Sequence, residues 1–459
     1  MSGSAVILQE QQIQTVLQTL DLNMLPEKVR QAGIVGAGGA GFPAYVKLQA
    51  KAEIYLVNAA ECEPMLKVDQ QLMAQHASQL IRGLRYGMAA TGAKEGIIAL
   101  KAKYQPAIAA LEPLLPENVR IHILPDVYPA GDEVITIWQA TGRRVPPAAL
   151  PISIGVVVNN VQTLLNLAAA LETETPVTHR TLTINGAVRN PMTVTVPLGV
   201  TLRDVLTLAG GATIPDPAFI NGGPMMGKLV TDLDAPVTKT TGGLLVLPED
   251  HLIIQRRKRS DDAILNMAKT VCEQCGLCTE LCPRHIIGHE LPPHLLVRAM
   301  NYQQVATPSI LLSALTCSEC SVCESYACPV EISPMRINQL LKKQLRQQGA
   351  RYQGELRQQD PMAEYRMVPI KRLISRLNLE PYYHEAPFTD LSWQPESVTL
   401  PLQQHIGVAA EAIVQPGDQV VTGQCMATPK ADALSVGIHA SISGRVTSVT
   451  PASITINRG

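Results

Sequence analysis

Apolar positions change their spacing several times along the chain, and each change predicts a different kind of element. Val6, Ile7, Ile13, Val16, Leu17 and Leu20 recur at helical spacing and predict an N-terminal amphipathic helical segment over 1–30. Short apolar runs at 54–57, 97–100, 121–124 and 154–158 then alternate with helical patterns such as 69–91. Strands covered on both faces read as continuous apolar runs, so 31–175 predicts an α/β domain with a largely parallel sheet. From residue 180 the period shortens. Thr181-Leu182-Thr183-Ile184 and Met192-Thr193-Val194-Thr195-Val196 predict a hairpin turning at Asn185-Gly186. A short helix over 202–209, stopped by Gly210-Gly211, completes a small β-grasp unit over 176–250. Helical spacing returns over 251–350, around the cysteines. Residues 351–395 are polar and irregular and read as a linker. Beyond 396, β-branched runs and glycine turns predict a small all-β domain. The expected fold class is therefore multidomain, α/β plus β.

Composition supports several cores rather than one. A chain of 459 residues exceeds a single ordinary core, and 46% hydrophobic content lets each unit bury its own. A formal net charge of −1, without a long like-charge block, gives no electrostatic case for nucleic acid. The basic run Arg256-Arg257-Lys258-Arg259 is short, is followed by Asp261 and Asp262, and reads as a solvated linker. No run approaches the roughly 18 apolar residues of a membrane span. The start Met1-Ser2-Gly3-Ser4 lacks the basic region of a secretory signal, so a cytoplasmic protein with reduced thiols is expected.

Eight of the ten cysteines form two quartets. The first is Cys272-x2-Cys275-x2-Cys278-x3-Cys282-Pro283, and the second is Cys317-x2-Cys320-x2-Cys323-x4-Cys328-Pro329. Three thiolates spaced two residues apart wrap one corner of a cubane, and in two-cluster ferredoxins the fourth cysteine serves the other cluster. The spacing therefore predicts two [4Fe–4S] clusters with exchanged ligands. Cys272, Cys275, Cys278 and Cys328 would hold one, and Cys317, Cys320, Cys323 and Cys282 the other. Cys-x2-Cys also suits zinc, but two quartets that both close on Cys-Pro fit the ferredoxin spacing. Cys62 and Cys425 are left over, and Cys425 reads as a small buried residue. His285, His289 and His294 read as surface or capping residues, because the thiols already fill the clusters.

A glycine-rich loop, Gly36-Ala37-Gly38-Gly39-Ala40-Gly41-Phe42-Pro43, bares its backbone N–H groups just before a helix opened by Pro43. That is a place for a phosphate at a helix N-terminus, with Lys47 adding charge. The segment Gly38–Pro43 with Lys47 resembles the flavin loop of the NADH-binding, FMN-containing subunit of respiratory complex I and of the Rnf complex C subunit. Three further segments match that family in order: 58–64 (Asn-Ala-Ala-Glu-Cys-Glu-Pro), 128–133 (Tyr-Pro-Ala-Gly-Asp-Glu) and 158–164 (Val-Asn-Asn-Val-Gln-Thr-Leu). The resemblance implies FMN binding by Gly36, Gly38, Gly39, Gly41, Lys47, Asn58, Asn159, Asn160 and Thr163. Glu61, Gly131 and Asp132 would border the ring. Phe42 and the catalytic carboxylates Glu63 and Glu133 would meet NADH. The chain departs from the complex I loops at Ala37, Ala60 and Leu48.

Asn221-Gly222-Gly223-Pro224-Met225-Met226-Gly227-Lys228 nearly reads as a phosphate-binding Walker loop, but Leu229 stands where magnesium needs a hydroxyl. The segment instead resembles the β-grasp (SLBB) module of the Rnf C family. Gln404-His405-Ile406-Gly407 and His439-Ala440-Ser441-Ile442-Ser443-Gly444 resemble that family's barrel-sandwich domain, which would occupy 396–459. There it is N-terminal, and here it is C-terminal. This permuted order resembles the cobalamin reductases of propanediol-utilisation microcompartments. The resemblance implies electrons passing from NADH through FMN and the clusters to cobalamin. It implies a cytoplasmic protein within a bacterial microcompartment, with an adenosyltransferase and a shell protein as partners. An Rnf C-like subunit serving a protein acceptor, or a relay docked at the shell, are the alternatives. No Asp-x-His-x-x-Gly motif is present, so cobalamin is expected as a visiting substrate.

Overall fold

The computed structural model describes residues 15, 16, 18, 21–39, 41–302 and 308–459. The amphipathic helix expected over 6–20 lies largely outside the described residues. The first domain is built on a four-stranded sheet in the order Val119–Leu124, Glu95–Lys101, Ile54–Asn58, Val156–Asn160, with every pairing parallel. Tyr55, Val57, Ile98 and Leu100 face the helices Val68–Gln75, Ala77–Thr91 and Val161–Glu172. Leu56, Ile97, Ala99 and Val158 face the helix Glu133–Thr141. Both faces are covered, which is why these strands read as unbroken apolar runs. The helical pattern at 69–91 proves to be two helices broken at His76. Two neighbouring strands end on Asn58 and on Asn159-Asn160, and the carboxyl end of a parallel sheet is where such folds bind ligands.

The β-grasp sheet runs Met192–Pro197, His179–Gly186, Gly243–Pro248, Pro217–Asn221, Lys228–Leu229. Its helix, Leu202–Leu208, starts with a capping box between Thr201 and Asp204. The hairpin forms, but Asn185-Gly186 is not its turn. Both residues lie inside the strand, and buried Asn185 donates to the carbonyls of Met65 and His384. Two buried amide bonds outweigh a local turn preference.

The basic run also departs from expectation. It ends the helix Leu252–Lys258, Arg256 is buried, and Arg257 donates to the carbonyls of Pro224 and Gly227. Arg257 thus satisfies carbonyls of the β-grasp loop, while Arg256 Nη2 lies 3.9 Å from Glu331. Segment 351–395 likewise does more than span a gap. Val368-Pro369 pairs antiparallel with Val127-Tyr128, and Val368, Ile370, Leu373, Leu377 and Leu379 are buried. The last domain stacks a four-stranded sheet on a three-stranded one and returns to the first domain. There Lys239 Nζ bridges the carbonyls of Gly33 (2.7 Å) and Gly437 (2.9 Å).

Candidate flavin and cluster sites

The glycine loop does not lie over the helix that follows it. That helix, Ala44–Leu48, has only five residues and offers little dipole. The loop sits instead against the N-terminus of Val161–Glu172, a helix of 12 residues capped by Asn160, whose Oδ1 accepts from Gln162 N. Ala37 N donates to Thr163 Oγ1 at 3.0 Å. A side chain at Gly38 would begin 3.0 Å from Asn160 Nδ2, so the loop can lie this close only without one. At Gly39 a side chain would meet nothing within 4 Å, so the protein itself leaves that space open. Bare N–H groups, a helix N-terminus and an unfilled cradle together suit a phosphate.

Asn159 and Asn160 were both expected to hold FMN. Successive strand residues point to opposite faces, so only one of them can turn toward the loop. Asn160 does, donating to Asp69 Oδ2 at 2.8 Å. Asn159 points into the core and donates to Tyr55 Oη at 2.6 Å. Lys47 donates to the Val158 carbonyl at 2.7 Å and pairs with Glu133 at 2.9 Å. Asn58 donates to the Gly131 carbonyl at 2.8 Å, joining two of the matched loops. Phe42 closes the glycine loop through its carbonyl, which accepts from Gly36 N at 2.8 Å. Gly41 serves a different contact. Its φ is +70°, and a side chain there would strike the Thr240 methyl and the His405 Cα.

The acids are more committed than the sequence suggests. Glu61 accepts from Asp69 N at 2.8 Å, and burial raises its pKa. Burial, followed by the charge on Glu61, raises Asp69 well above the carboxylate range. Arg180, buried and lowered to about 10 by desolvation, offsets both charges and donates to the Ala37 carbonyl at 2.8 Å. Glu63 accepts from Met225 N at 3.0 Å and Met226 N at 2.7 Å, so the β-grasp loop seals it. Desolvation pushes Glu63 up to about 7, against the pull of those N–H groups and of Arg257. Asp132 caps the helix Glu133–Thr141 and pairs with Arg284 at 2.8 Å. Sequence reading missed Asp69 and Arg180. Asp69 carries no motif, and Arg180 reaches the loop from a different domain.

The eight thiols gather into two groups. One cavity is lined by Cys272, Cys275, Cys278 and Cys328, and the other by Cys282, Cys317, Cys320 and Cys323. Each quartet's last cysteine thus sits with the other quartet. Both loops wind the same way, with left-handed backbone at Gln274 and Gly276 in the first and at Glu319 and Ser321 in the second. Successive turns of this kind aim N–H groups inward, and Glu319 N points at Cys317 Sγ (3.4 Å). The extra residue of the second quartet is taken up by a π-helical turn, Cys323–Ala327, in which Cys328 N donates to the Cys323 carbonyl at 3.2 Å. Desolvation and neighbouring thiols push Cys278 up to about 12, and desolvation puts Cys282 at the same value. All-thiol sets of four on the ferredoxin spacing suit cubanes. His294 accompanies the first group through a 2.6 Å contact with Thr279 Oγ1. His289 reaches the Val145 carbonyl at 2.9 Å. Of the two remaining cysteines, Cys62 lies against Gly131, and Cys425 is half-buried in the strand Cys425–Thr428.

Known families match these units in the same order. Residues 29–169 match the Nuo51 FMN-binding domain and 181–229 the SLBB domain. Residues 271–333 match a 4Fe-4S dicluster domain and 384–459 the RnfC barrel sandwich hybrid domain. A protein named cobalamin reductase PduS from Citrobacter freundii is 65% identical over 439 residues, covering 96% of this chain and 97% of that one. The chain belongs to the cobalamin reductase PduS family. The protein of that name from Salmonella typhimurium is also 65% identical, over 97% of this chain and 99% of its own. The C component of the Na(+)-translocating ferredoxin:NAD(+) oxidoreductase complex of Acetobacterium woodii is 36% identical over 59% of this chain and 60% of its own. FMN and iron–sulfur clusters are therefore the cofactors of this family member. No helix among the described residues is long and apolar enough to cross a membrane.

Proposed function

We propose that the protein is an NADH-dependent reductase that passes electrons through FMN and two [4Fe–4S] clusters to cob(III)alamin and cob(II)alamin. The observation that carries the electron path is the join between its halves: Tyr128, in a loop matched to the flavin family, donates from Oη to the Cys320 carbonyl at 2.8 Å. The acceptor rests on the name carried by the two full-length relatives.

FMN, when bound, takes two electrons as hydride and releases them singly, which lets a two-electron donor feed one-electron clusters. The chain's own residues set the geometry. Gly36, Gly38, Gly39, Thr163 and Asn160 would hold the phosphate of FMN at the helix N-terminus, and Asn58 fixes the Gly131 backbone through its carbonyl. Arg180 balances Glu61 and Asp69, so the buried site does not carry two unopposed negative charges. Lys47 and Glu133 hold each other at the mouth, where NADH would enter. Glu63 would meet NADH after exchanging its loop N–H partners. Cys272, Cys275, Cys278 and Cys328 hold one cluster, and Cys282, Cys317, Cys320 and Cys323 the other.

We place the protein in the cytoplasm within a bacterial microcompartment, where it recycles the cofactor of propanediol dehydratase. An adenosyltransferase and a shell protein are its partners there. Anaerobic titration of the purified holoprotein with NADH tests the reaction. Flavin and cluster absorbance should bleach, and added cob(III)alamin should be reduced. Absence of either sinks the assignment. Co-purification from cells with and without the shell tests the placement.

A further inference from the structure

The two thiol cavities are not equivalent. The thiols of the Cys282, Cys317, Cys320 and Cys323 cavity are the more buried, with Cys282, Cys320 and Cys323 buried and Cys317 half-buried. This cavity is also the one tied to the flavin domain. Tyr128 is fully buried and donates to the Cys320 carbonyl at 2.8 Å. Arg284, two residues beyond Cys282, pairs with Asp132 at 2.8 Å, both side chains being largely buried. His289 and Arg144 add bonds across the same seam, to the carbonyls of Val145 and Ile287. Both cavities are lined by residues of the cluster domain, 282–338 for the first and 272–334 for the second, but of the second cavity's four thiols only Cys328 is buried. Cys275 is exposed, and Glu273 and Leu277 beside it are exposed as well.

We infer that the two centres work in a fixed order. The Cys282/Cys317/Cys320/Cys323 centre takes electrons from the flavin, and the Cys272/Cys275/Cys278/Cys328 centre delivers them to the corrinoid at the exposed Cys275 edge. This rests on the reductase reading above. Hydrogen-bonded contact favours transfer over a gap, and the Cys282/Cys317/Cys320/Cys323 centre has that contact with the flavin loops. Only the other centre has a thiol at the surface. The corrinoid therefore need not enter the flavin site. The balance is one NADH oxidised to NAD+ with release of one proton, and two cob(III)alamin reduced to two cob(II)alamin, each by a single electron.

The experiment uses the anaerobic holoprotein reduced with dithionite, so that it depends on neither NADH nor cobalamin. A water-soluble dysprosium chelate should broaden one cluster EPR signal at least tenfold more than the other. The broadened signal should be the one missing from Cys275→Ala, and the signal missing from Cys320→Ala should be spared. In kinetics, Cys275→Ala should lose at least tenfold in cobalamin reduction. Should Cys275→Ala shed both clusters, Leu277→Trp keeps all eight thiols and covers the same edge. It should leave NADH bleaching unchanged and slow cobalamin reduction at least fivefold. Equal broadening of both signals overturns the order, as does wild-type cobalamin reduction in Cys275→Ala or Leu277→Trp. A wild type that NADH does not bleach overturns the reductase reading instead, while the chelate still judges the order.

Discussion

Single residues in this protein take their roles from what they touch across domain boundaries. Glu63 looks like a carboxylate waiting for a nucleotide, yet both of its oxygens are occupied by N–H groups of the β-grasp loop. Its pKa rises from 4.5 to about 7, chiefly by desolvation. An acid raised in this way holds its proton more tightly folded than unfolded. Its contribution to stability is complete below pH 4.5 and is lost as pH climbs to about 7. The melting temperature of the wild type should therefore fall more between pH 5 and pH 7.5 than that of Glu63→Gln. Identical pH slopes in calorimetry would show that Glu63 is not the group concerned. Lys342 acts at the Cys282/Cys317/Cys320/Cys323 centre, donating to the Cys317 carbonyl and to Glu319, each at 2.7 Å. Lys342→Met removes the cation that pairs with Glu319 beside a cluster ligand, leaving Gln339 bonded to that carboxylate. The midpoint potential of that centre should drop by tens of millivolts, the scale of about 1–2 kcal/mol for a charge at interior distances. An EPR redox titration reads this directly, and an unchanged potential refutes it.

Elements succeed where local chemistry and packing agree. The glycine loop was legible as a phosphate cradle, but its partner helix was not the adjacent one. Ala44–Leu48 is too short, and the helix that matters starts more than 100 residues further along the chain. Strand register brought it there, because Ile54–Asn58 and Val156–Asn160 are neighbours in the sheet. The two glycines then separate by function. Gly38 is needed by the protein, since a side chain there would crowd Asn160, whereas the space at Gly39 is left to the ligand. Gly39→Ala should leave the melting temperature of the apoprotein within about 1 °C and weaken FMN at least tenfold. Fluorescence titration with FMN measures the second effect, and wild-type affinity would remove Gly39 from the site. The cysteine loops tell a similar story. Their shared left-handed positions and the π-helical turn before Cys328 explain how unequal spacings each gather four thiols around one cavity.

At the scale of the whole molecule, the domains form one path because buried polar contacts lock them together. Asp132 and Arg284 are the clearest case, joining the start of a flavin-domain helix to the residue two beyond a cluster cysteine. Breaking a largely buried pair strands its partner's charge, at a cost of about 3 kcal/mol. Arg284→Met should lower the melting temperature and slow flavin-to-cluster transfer in stopped-flow absorbance, with flavin bleaching by NADH unaffected. Loss of stability without slower transfer would mean that the pair only holds the domains.

The sequence alone determined much of this protein. Cysteine spacing, the glycine loop and the alternation of apolar runs follow local rules, and so the clusters, the flavin cradle and the parallel sheet could be read directly. Even the exchange of Cys282 and Cys328 was legible, because the fourth cysteine lies too far along the chain to close its own corner. Tertiary structure decided what depends on contacts between distant segments. It turned Asn160 toward Asp69 and Asn159 toward Tyr55 by strand alternation, and buried Asn185 inside a strand. It brought Arg180 and the β-grasp loop against the flavin-domain loops and pinned the expected linker to the strand Val127–Tyr128. It also made the two thiol groups unequal, one largely buried and one exposed at Cys275. Chain spacing is nearly the same in both quartets, so only packing could set that difference.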